Sequence, residues 1–331
     1  MTIHTDTTVR TCEDFIEGRL VTAREHLDVF NPATNARISR VPVTAAADVD
    51  RAIEVARRAQ RDWARRPAIE RAGFLRQIAQ GIRKDSNRLA QVISEEQGKV
   101  LSLAEIEVAF TADYLDYMAE WARRIEGEVI TSDRQNETIL LLRKPLGVVA
   151  GILPWNFPFF LIARKMAPAL VTGNTVVIKP SELTPNNCYE FARIVAATDL
   201  PAGVFNVVNG GGSVGAHLAS HSGVDMVSFT GSVHTGRAIM SAASTNLTKV
   251  NLELGGKAPA IVFADADLDL AARAIRDSRI INTGQVCNCA ERVYVERSVA
   301  DRFIDKVVSL MAKTTFGDPI AQPHVDMGPL I

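Results

Sequence analysis

From residue 148 onward the chain alternates short apolar runs with helix-length segments, and this alternation limits the fold more than any other feature. Val148–Leu153, Thr175–Ile178, Val204–Val208, Asp225–Phe229 and Leu247–Leu252 read as strands. Phe159–Val171, Asn187–Ala197, Ser213–His221 and Gly236–Ser244 read as the helices between them. Strands apolar on both faces need cover on both faces, so the pattern predicts an α/β fold with a parallel sheet flanked by helices. Such sheets bind ligands beyond the carboxyl ends of their strands. The polar and glycine-rich runs of this chain fall there, after residues 153, 178, 229 and 252.

The flanking segments are different in kind. Residues 15–43 carry short apolar runs around the turn Asn31-Pro32-Ala33-Thr34-Asn35, which suggests strands near a sheet edge. From Ala45 to about Ile125 the spacing is helical, with Val49, Ile53, Val55 and Ala56 on one face and Phe74, Leu75, Ile78 and Ile82 on another. A long helix is expected to run from Phe110 to Trp121. Residues 127–144 read as a protruding hairpin about the turn Ser132–Asn136, with an apolar surface suited to pairing with another subunit. Ala258–Phe263 and Leu268–Ile281 read as the strand and helix that begin a second α/β unit.

Composition narrows the function classes. A formal net charge of −1 gives no whole-chain basic field for nucleic acid. No apolar run is long enough to span a bilayer, and no amino-terminal segment reads as a signal peptide. The cysteines Cys12, Cys188, Cys287 and Cys289 are too few and scattered for a disulfide framework, so the expected compartment is the reducing cytoplasm. Cys287 and Cys289 lack nearby histidines and C-x-x-C spacing, so no metal site is expected.

Several residues carry the chemistry. Cys287 follows Gly284-Gln285 in the run Asn282–Arg292 and is the nucleophile candidate, whereas Cys289, two positions on, reads as packing. Asn156, between a strand and a helix opened by Pro158, can donate its amide to a developing oxyanion; the plain alternative is a helix-capping asparagine. Glu253 sits between leucines at a strand end, so it is expected to be desolvated and suited to taking a proton from water. A glutamate satisfied by neighbouring backbone N–H groups is the alternative there. Glu182, just after the strand Thr175–Ile178, can accept both hydroxyls of an adenosine ribose and repel a 2′-phosphate, and Lys179 can bond the same ribose. A surface ion pair is the alternative for these two. Gly210–Gly215 matches G-x-G-x-x-G formally, a weak signal, and reads as a tight turn that admits a ligand to a helix start. Gly231 and Ser232 form the better cofactor loop, while His234 reads as merely solvated.

Four runs taken in order resemble the aldehyde dehydrogenase superfamily: Pro154-Trp155-Asn156-Phe157-Pro158, Lys179-Pro180-Ser181-Glu182, Glu253-Leu254-Gly255-Gly256-Lys257 and the Gly284–Cys287 segment. The likeness runs from about residue 15 to the end. It implies an aldehyde dehydrogenase-like fold with a Rossmann-type sheet, NAD as cofactor, and oxidation of an aldehyde through a cysteine thioester. It implies Cys287, Glu253 and Asn156 as catalytic residues. The cofactor residues it implies are Leu153, Pro154, Trp155, Lys179, Pro180, Ser181, Glu182, Gly211, Gly215, Gly231, Ser232 and Leu254. The runs Thr111–Arg124, Pro154–Leu170 and Gly284–Val295 are most similar to the members acting on lactaldehyde and glycolaldehyde, which implies Arg164 and Asn288 as substrate contacts. An ion pair on its own helix is the alternative for Arg164.

The resemblance also implies an organisation. Residues 1–126 would be the amino-terminal part of the cofactor-binding domain, 127–146 an oligomerisation hairpin, 147–254 the NAD-binding core, and 255–331 the start of an incomplete catalytic domain. The family's downstream Glu-x-Phe-Gly-Pro motif has no counterpart before Ile331, so the chain is expected to be truncated at its carboxyl end, prone to instability or abnormal association, and homo-oligomeric (a dimer or tetramer) at full length. An acylating dehydrogenase and a non-catalytic NAD-binding fragment are the alternative functions. Small aldehydes are the expected partners, with neither nucleic acid nor membrane.

Overall fold

The computed structural model describes residues 9–331. Strands β1 (Arg10–Thr11), β2 (Asp14–Ile16), β3 (Arg19–Val21), β4 (His26–Phe30) and β5 (Arg37–Pro42) precede four helices. These are α1 (Ala46–Arg65), α2 (Ala68–Lys84), α3 (Ser86–Gln97) and α4 (Leu101–Ala119). The expected long helix through Trp121 stops at Ala119 and tightens into a 3₁₀ turn over Glu120–Arg123. A hairpin of β6 (Glu128–Thr131) and β7 (Thr138–Leu141) follows, paired only with itself among the described residues and exposed at every strand position.

The alternating region then builds β8 (Val148–Ile152), α5 (Pro158–Val171), β9 (Thr175–Lys179), α6 (Asn186–Ala196), β10 (Phe205–Val207), α7 (Gly212–Ser220), β11 (Met226–Gly231), α8 (Val233–Ser244) and β12 (Lys249–Leu254). The main sheet has the order β12-β11-β8-β9-β10-β2-β3. Its five β8–β12 strands are parallel, as the alternation requires, and β2 joins antiparallel beside β10 to make the sheet mixed. Only β2 and β3 of the early strands extend this sheet; β1, β5 and β4 form a separate one.

Side chains alternate across the sheet as the two-residue strand period demands. Val148, Ala150 and Ile152 of β8 pack with α1 residues Val49, Ile53 and Ala56 and with Val214 and Leu218 of α7. Val149 and Leu153 face the opposite cluster, built from α2, α4, α5 and α6. α5 is buried on nearly all sides because it lies between the sheet and α4. The chain leaves β10 and crosses over β8 to form β11, so β8 is the switch point of the sheet, where a ligand crevice opens at the carboxyl ends. Beyond the main sheet, β13 (Pro259–Val262) and β14 (Arg292–Val295) pair in parallel and pack with α9 (Leu268–Ile280) and α10 (Ala300–Met311). Ile261, Phe263, Val293 and Tyr294 of this unit remain exposed.

Two buried carboxyls tie the sheet to its surroundings. Asp14 accepts hydrogen bonds from Thr44 Oγ1 and from Asn209 N and Nδ2, and burial pushes its carboxyl up to about 6. Glu96 accepts from the backbone N–H groups of Asn186 and Asn187 at the start of α6, and burial pushes it up to about 8. Both folded values lie above the ordinary ones of 3.8 and 4.5. Across those windows the folded state binds more protons than the unfolded chain, so stability falls as pH rises. The melting temperature is therefore expected to drop between pH 5 and pH 8.5, on the order of 5 °C. Glu96→Gln is expected to flatten the upper part of that slope. Thermal melts of both proteins at stepped pH check this; equal slopes would remove Glu96 from the account.

Candidate active site

The central strand β8 ends in the loop Leu153–Phe157, and Leu153 N donates to Lys179 O at 3.0 Å, which holds the loop against the end of β9. Phe157, not Asn156, stands at the amino-terminal cap of α5, and the first-turn N–H groups of Phe159 and Phe160 donate to Glu107 Oε1 from α4. The capping alternative for Asn156 is thereby replaced by a longer-range contact. Asn156 Nδ2 donates to Gln285 O at 2.8 Å, across 129 residues of chain. Gln285 lies two positions before Cys287, so two runs singled out in the sequence meet here.

The segment leading to the cysteine is strained. Asn282 and Thr283 have left-handed φ values of 47° and 58°, unusual for a β-branched residue such as threonine. Gln285 N and Nε2 donate to Asn282 O, and Thr283 Oγ1 donates to Gly328 O at 3.0 Å, which pins the turn. Cys287 emerges exposed, whereas Cys12, Cys188 and Cys289 are buried. Burial pushes the Cys289 thiol up, in keeping with a packing role. Asn288 is exposed beside Cys287.

Glu253 departs from expectation. It was expected to be desolvated, yet it is exposed at the carboxyl end of β12, opposite Thr230 of β11. β12 is an edge strand whose outward residues alternate exposed with half-buried, so flanking leucines do not enclose the carboxylate. The expected cover from local sequence is absent because burial depends on a neighbouring layer. Among the described residues Glu253 has no hydrogen-bond or ion-pair partner for its carboxylate.

The cofactor candidates line the carboxyl edge of the sheet. Lys179 is buried, and its Nζ donates to Pro180 O at 2.9 Å and to Glu182 Oε2 at 3.4 Å. Burial lowers its pKa and Glu182 opposes that shift. Glu182 itself is exposed, and Ser181 is buried with its Oγ accepting from Leu183 N. Gly210 has φ +132°, and α7 begins two residues later with Gly211 at its cap. A Cβ on Gly211 or Gly212 would meet open space, while one on Gly215 would touch the Lys179 side chain at 3.6 Å. This leaves backbone accessible at a helix start, as a phosphate-bearing ligand needs. Ser232 caps α8 through Thr235 N, Gly231 and Leu254 pair in register, and His234 is exposed. Pro154 and Trp155 are half-buried at the end of β8, and Pro180 is buried at the end of β9.

Arg164 lies two turns into α5. It lines a cavity of about 600 Å³ with Arg143, Lys144, Lys165, Ser228 and Asn251, and it makes no ion pair among the described residues. Among the described residues no side-chain hydrogen bond joins Arg164 or Asn288 to another candidate residue. Lys165, beside it, donates to Ser228 Oγ and Thr230 Oγ1, and burial lowers its pKa to about 8. Elsewhere, Asp50 Oδ1 sits 2.6 Å from His217 Nε2 and 3.3 Å from His221 Nε2. That donor set suits a divalent metal. Gly223 N, however, donates to His221 Nδ1 at 2.9 Å, which leaves the neutral ring's proton on Nε2, the atom facing Asp50. The cluster is therefore built as a hydrogen-bonded junction of α1 and α7.

Four residues with no assigned role in the sequence also hold Asn156: Lys99 Nζ and Asn282 Nδ2 donate to Asn156 O, Glu107 pairs with Lys99, and Gln285 O accepts from Asn156 Nδ2. Gln285 was in view only as context for Cys287. Lys99 lies in the turn between α3 and α4 and Glu107 on α4, and no local pattern sets either apart from ordinary surface charge.

The protein-family model described as "Aldehyde dehydrogenase family" matches residues 20–331. Lactaldehyde dehydrogenase of Escherichia coli (strain K12) is 59% identical over 320 residues, which cover 96% of this chain and 67% of that protein. A crystal structure of lactaldehyde dehydrogenase from Escherichia coli superposes with a TM-score of 0.97 at 58% identity, over 98% of this chain and 68% of the other. The structure of 3,6-anhydro-L-galactose dehydrogenase in complex with NAP superposes with a TM-score of 0.94 at 40% identity, over 97% and 68% of the two chains. The chain thus spans about two thirds of the length of the relatives it matches.

Proposed function

The chain belongs to the aldehyde dehydrogenase family, and we propose that it oxidises a small 2-hydroxyaldehyde of the lactaldehyde or glycolaldehyde kind, with NAD as hydride acceptor. The observation that carries this reading is the Asn156–Gln285 bond, which sets an amide donor beside the loop of the exposed cysteine. Cys287 Sγ adds to the aldehyde carbon, and the carbonyl oxygen takes the negative charge. The Asn156 amide and the Cys287 backbone N–H receive that oxyanion. NAD, which Lys179, Glu182 and the helix start at Gly211 would hold, would supply the hydride acceptor; once hydride has left that carbon, the acyl group remains on Cys287 as a thioester. Glu253 then removes a proton from water, and the resulting hydroxide attacks the thioester carbonyl. The carboxylic acid leaves and the Cys287 thiolate returns. Arg164 and Asn288 are proposed to meet the substrate hydroxyl.

Residues 1–126 and 147–254 together are proposed to form the cofactor-binding part, 255–331 the catalytic part, and the exposed hairpin 127–146 a subunit contact in a homo-oligomer. Mixing the chain with NAD and glycolaldehyde and recording NADH absorbance tests the function. Absence of NADH formation at any aldehyde concentration would refute it for this chain and favour a cofactor-binding fragment.

Cofactor choice gives a further test. The Glu182 carboxylate is exposed and 3.4 Å from the buried Lys179 ammonium; in this reading it accepts ribose hydroxyls and repels a 2′-phosphate. Glu182→Gln is expected to weaken NAD about tenfold, the effect of a lost charged hydrogen bond, and to narrow the gap to NADP. Fluorescence titration with both dinucleotides checks it. A parent protein that binds NADP as tightly as NAD contradicts the assignment.

A further inference from the structure

Lys99 and Glu107 form an ion pair with both side chains 0% exposed. Buried pairs add little to stability, because desolvation offsets their attraction. What distinguishes this one is where its remaining hydrogen-bonding groups point. Lys99 Nζ also donates to Asn156 O at 2.7 Å, and the ammonium stands 3.7 Å from the centre of the Phe157 ring. Glu107 Oε1 accepts from Phe159 N at 2.9 Å and Phe160 N at 3.0 Å, the first turn of α5. The pair therefore grips the chain on both sides of Pro158.

The grip has a consequence at one peptide plane. Asn156 O and Phe157 N belong to the same planar unit. Its oxygen is held by Lys99 and, at 3.3 Å, by Asn282 Nδ2. Its N–H donates to Asn156 Oδ1 at 3.0 Å. With the plane fixed and Oδ1 tied to it, the other end of the side chain, Nδ2, is directed to the Cys287 loop at Gln285 O. We propose that Lys99, held by Glu107, is the positioning residue for the Asn156 amide. It acts through that peptide plane, without touching substrate. A helix start alone would be satisfied by the Glu107 carboxylate; the ammonium supplies the shorter of the two holds on the Asn156 carbonyl, 2.7 Å against 3.3 Å from Asn282 Nδ2.

This inference rests on the acyl-transfer reading above, and its test separates the two. The variant Lys99→Met with Glu107→Gln removes both charges together, and the glutamine oxygen still accepts from Phe159 and Phe160. Its kcat for glycolaldehyde oxidation is expected to fall on the order of 10- to 100-fold. KM for the aldehyde and the melting temperature should change little, a split that a merely structural role would not produce. Lys99→Gln with Glu107→Gln, which leaves no unpaired buried charge and keeps an amide donor near Asn156 O, should show a smaller fall in kcat and serves if the first double variant does not fold. Unchanged kcat in a folded variant overturns the proposal. Should the parent chain show no turnover, the functional reading fails and hydrogen exchange decides this one. Faster exchange at 157–160 and 282–288 in the variant supports it, and exchange equal to the parent's overturns it.

Discussion

Replacing Cys287 with alanine is expected to abolish aldehyde oxidation, by at least ~10³-fold in kcat, because the covalent route has no other nucleophile. The affinity for NAD should change little, since Cys287 stands on the 282–289 loop and not at the carboxyl ends of β8–β10. The physical case is one of access. Cys12, Cys188 and Cys289 are buried, and burial pushes the Cys12 thiol to about 12 and the other two upward, so they remain protonated at neutral pH. Cys287 alone is exposed, two residues beyond the carbonyl that Asn156 engages. Iodoacetamide should accordingly label one cysteine of the folded protein, and peptide mapping should find it at Cys287. Residual turnover above a few per cent, or equal loss in a folded Cys289→Ala variant, defeats the assignment.

The second large effect is expected at Glu253. Glutamine there should leave acylation intact and block hydrolysis, so one equivalent of NADH appears as a burst and steady turnover drops about 10²- to 10⁴-fold. The carboxylate stands at the carboxyl end of β12, in register with Thr230, free of hydrogen-bond and ion-pair partners among the described residues. It is thus open to water. Nothing in the geometry makes it the attacking group, so its loss should fall on the second step. Intact-mass measurement during the stall should find the acyl group on Cys287. A burst without that adduct contradicts the role.

The site shows where local sequence informs and where it misleads. The alternation of 148–252 located every strand of the parallel core to within a few residues, because the two-residue and helical periods are properties of adjacent side chains. The placement of motifs at carboxyl ends followed from the same pattern. Glu253 misled because the flanking leucines describe one strand's faces, whereas solvent exposure depends on whether another layer covers them. Lys99, in the turn between α3 and α4, and Glu107, on α4, were illegible because lysine and glutamate ordinarily face water; only the approach of α4 to the start of α5 encloses them.

The sequence by itself therefore determined the α/β class and singled out Cys287, Asn156 and Glu253 as candidates for attack, oxyanion binding and proton transfer. The tertiary structure decided that β8 is the middle of the five parallel strands, that β2 closes on β10 in the antiparallel sense, and that Asn156 meets Gln285 across 129 residues. It also decided that one cysteine is exposed and three are buried. The division has a single physical reason. Periodicity and turn chemistry act between near neighbours in the chain, while strand order, burial and hydrogen-bond partners depend on contacts between segments far apart in it.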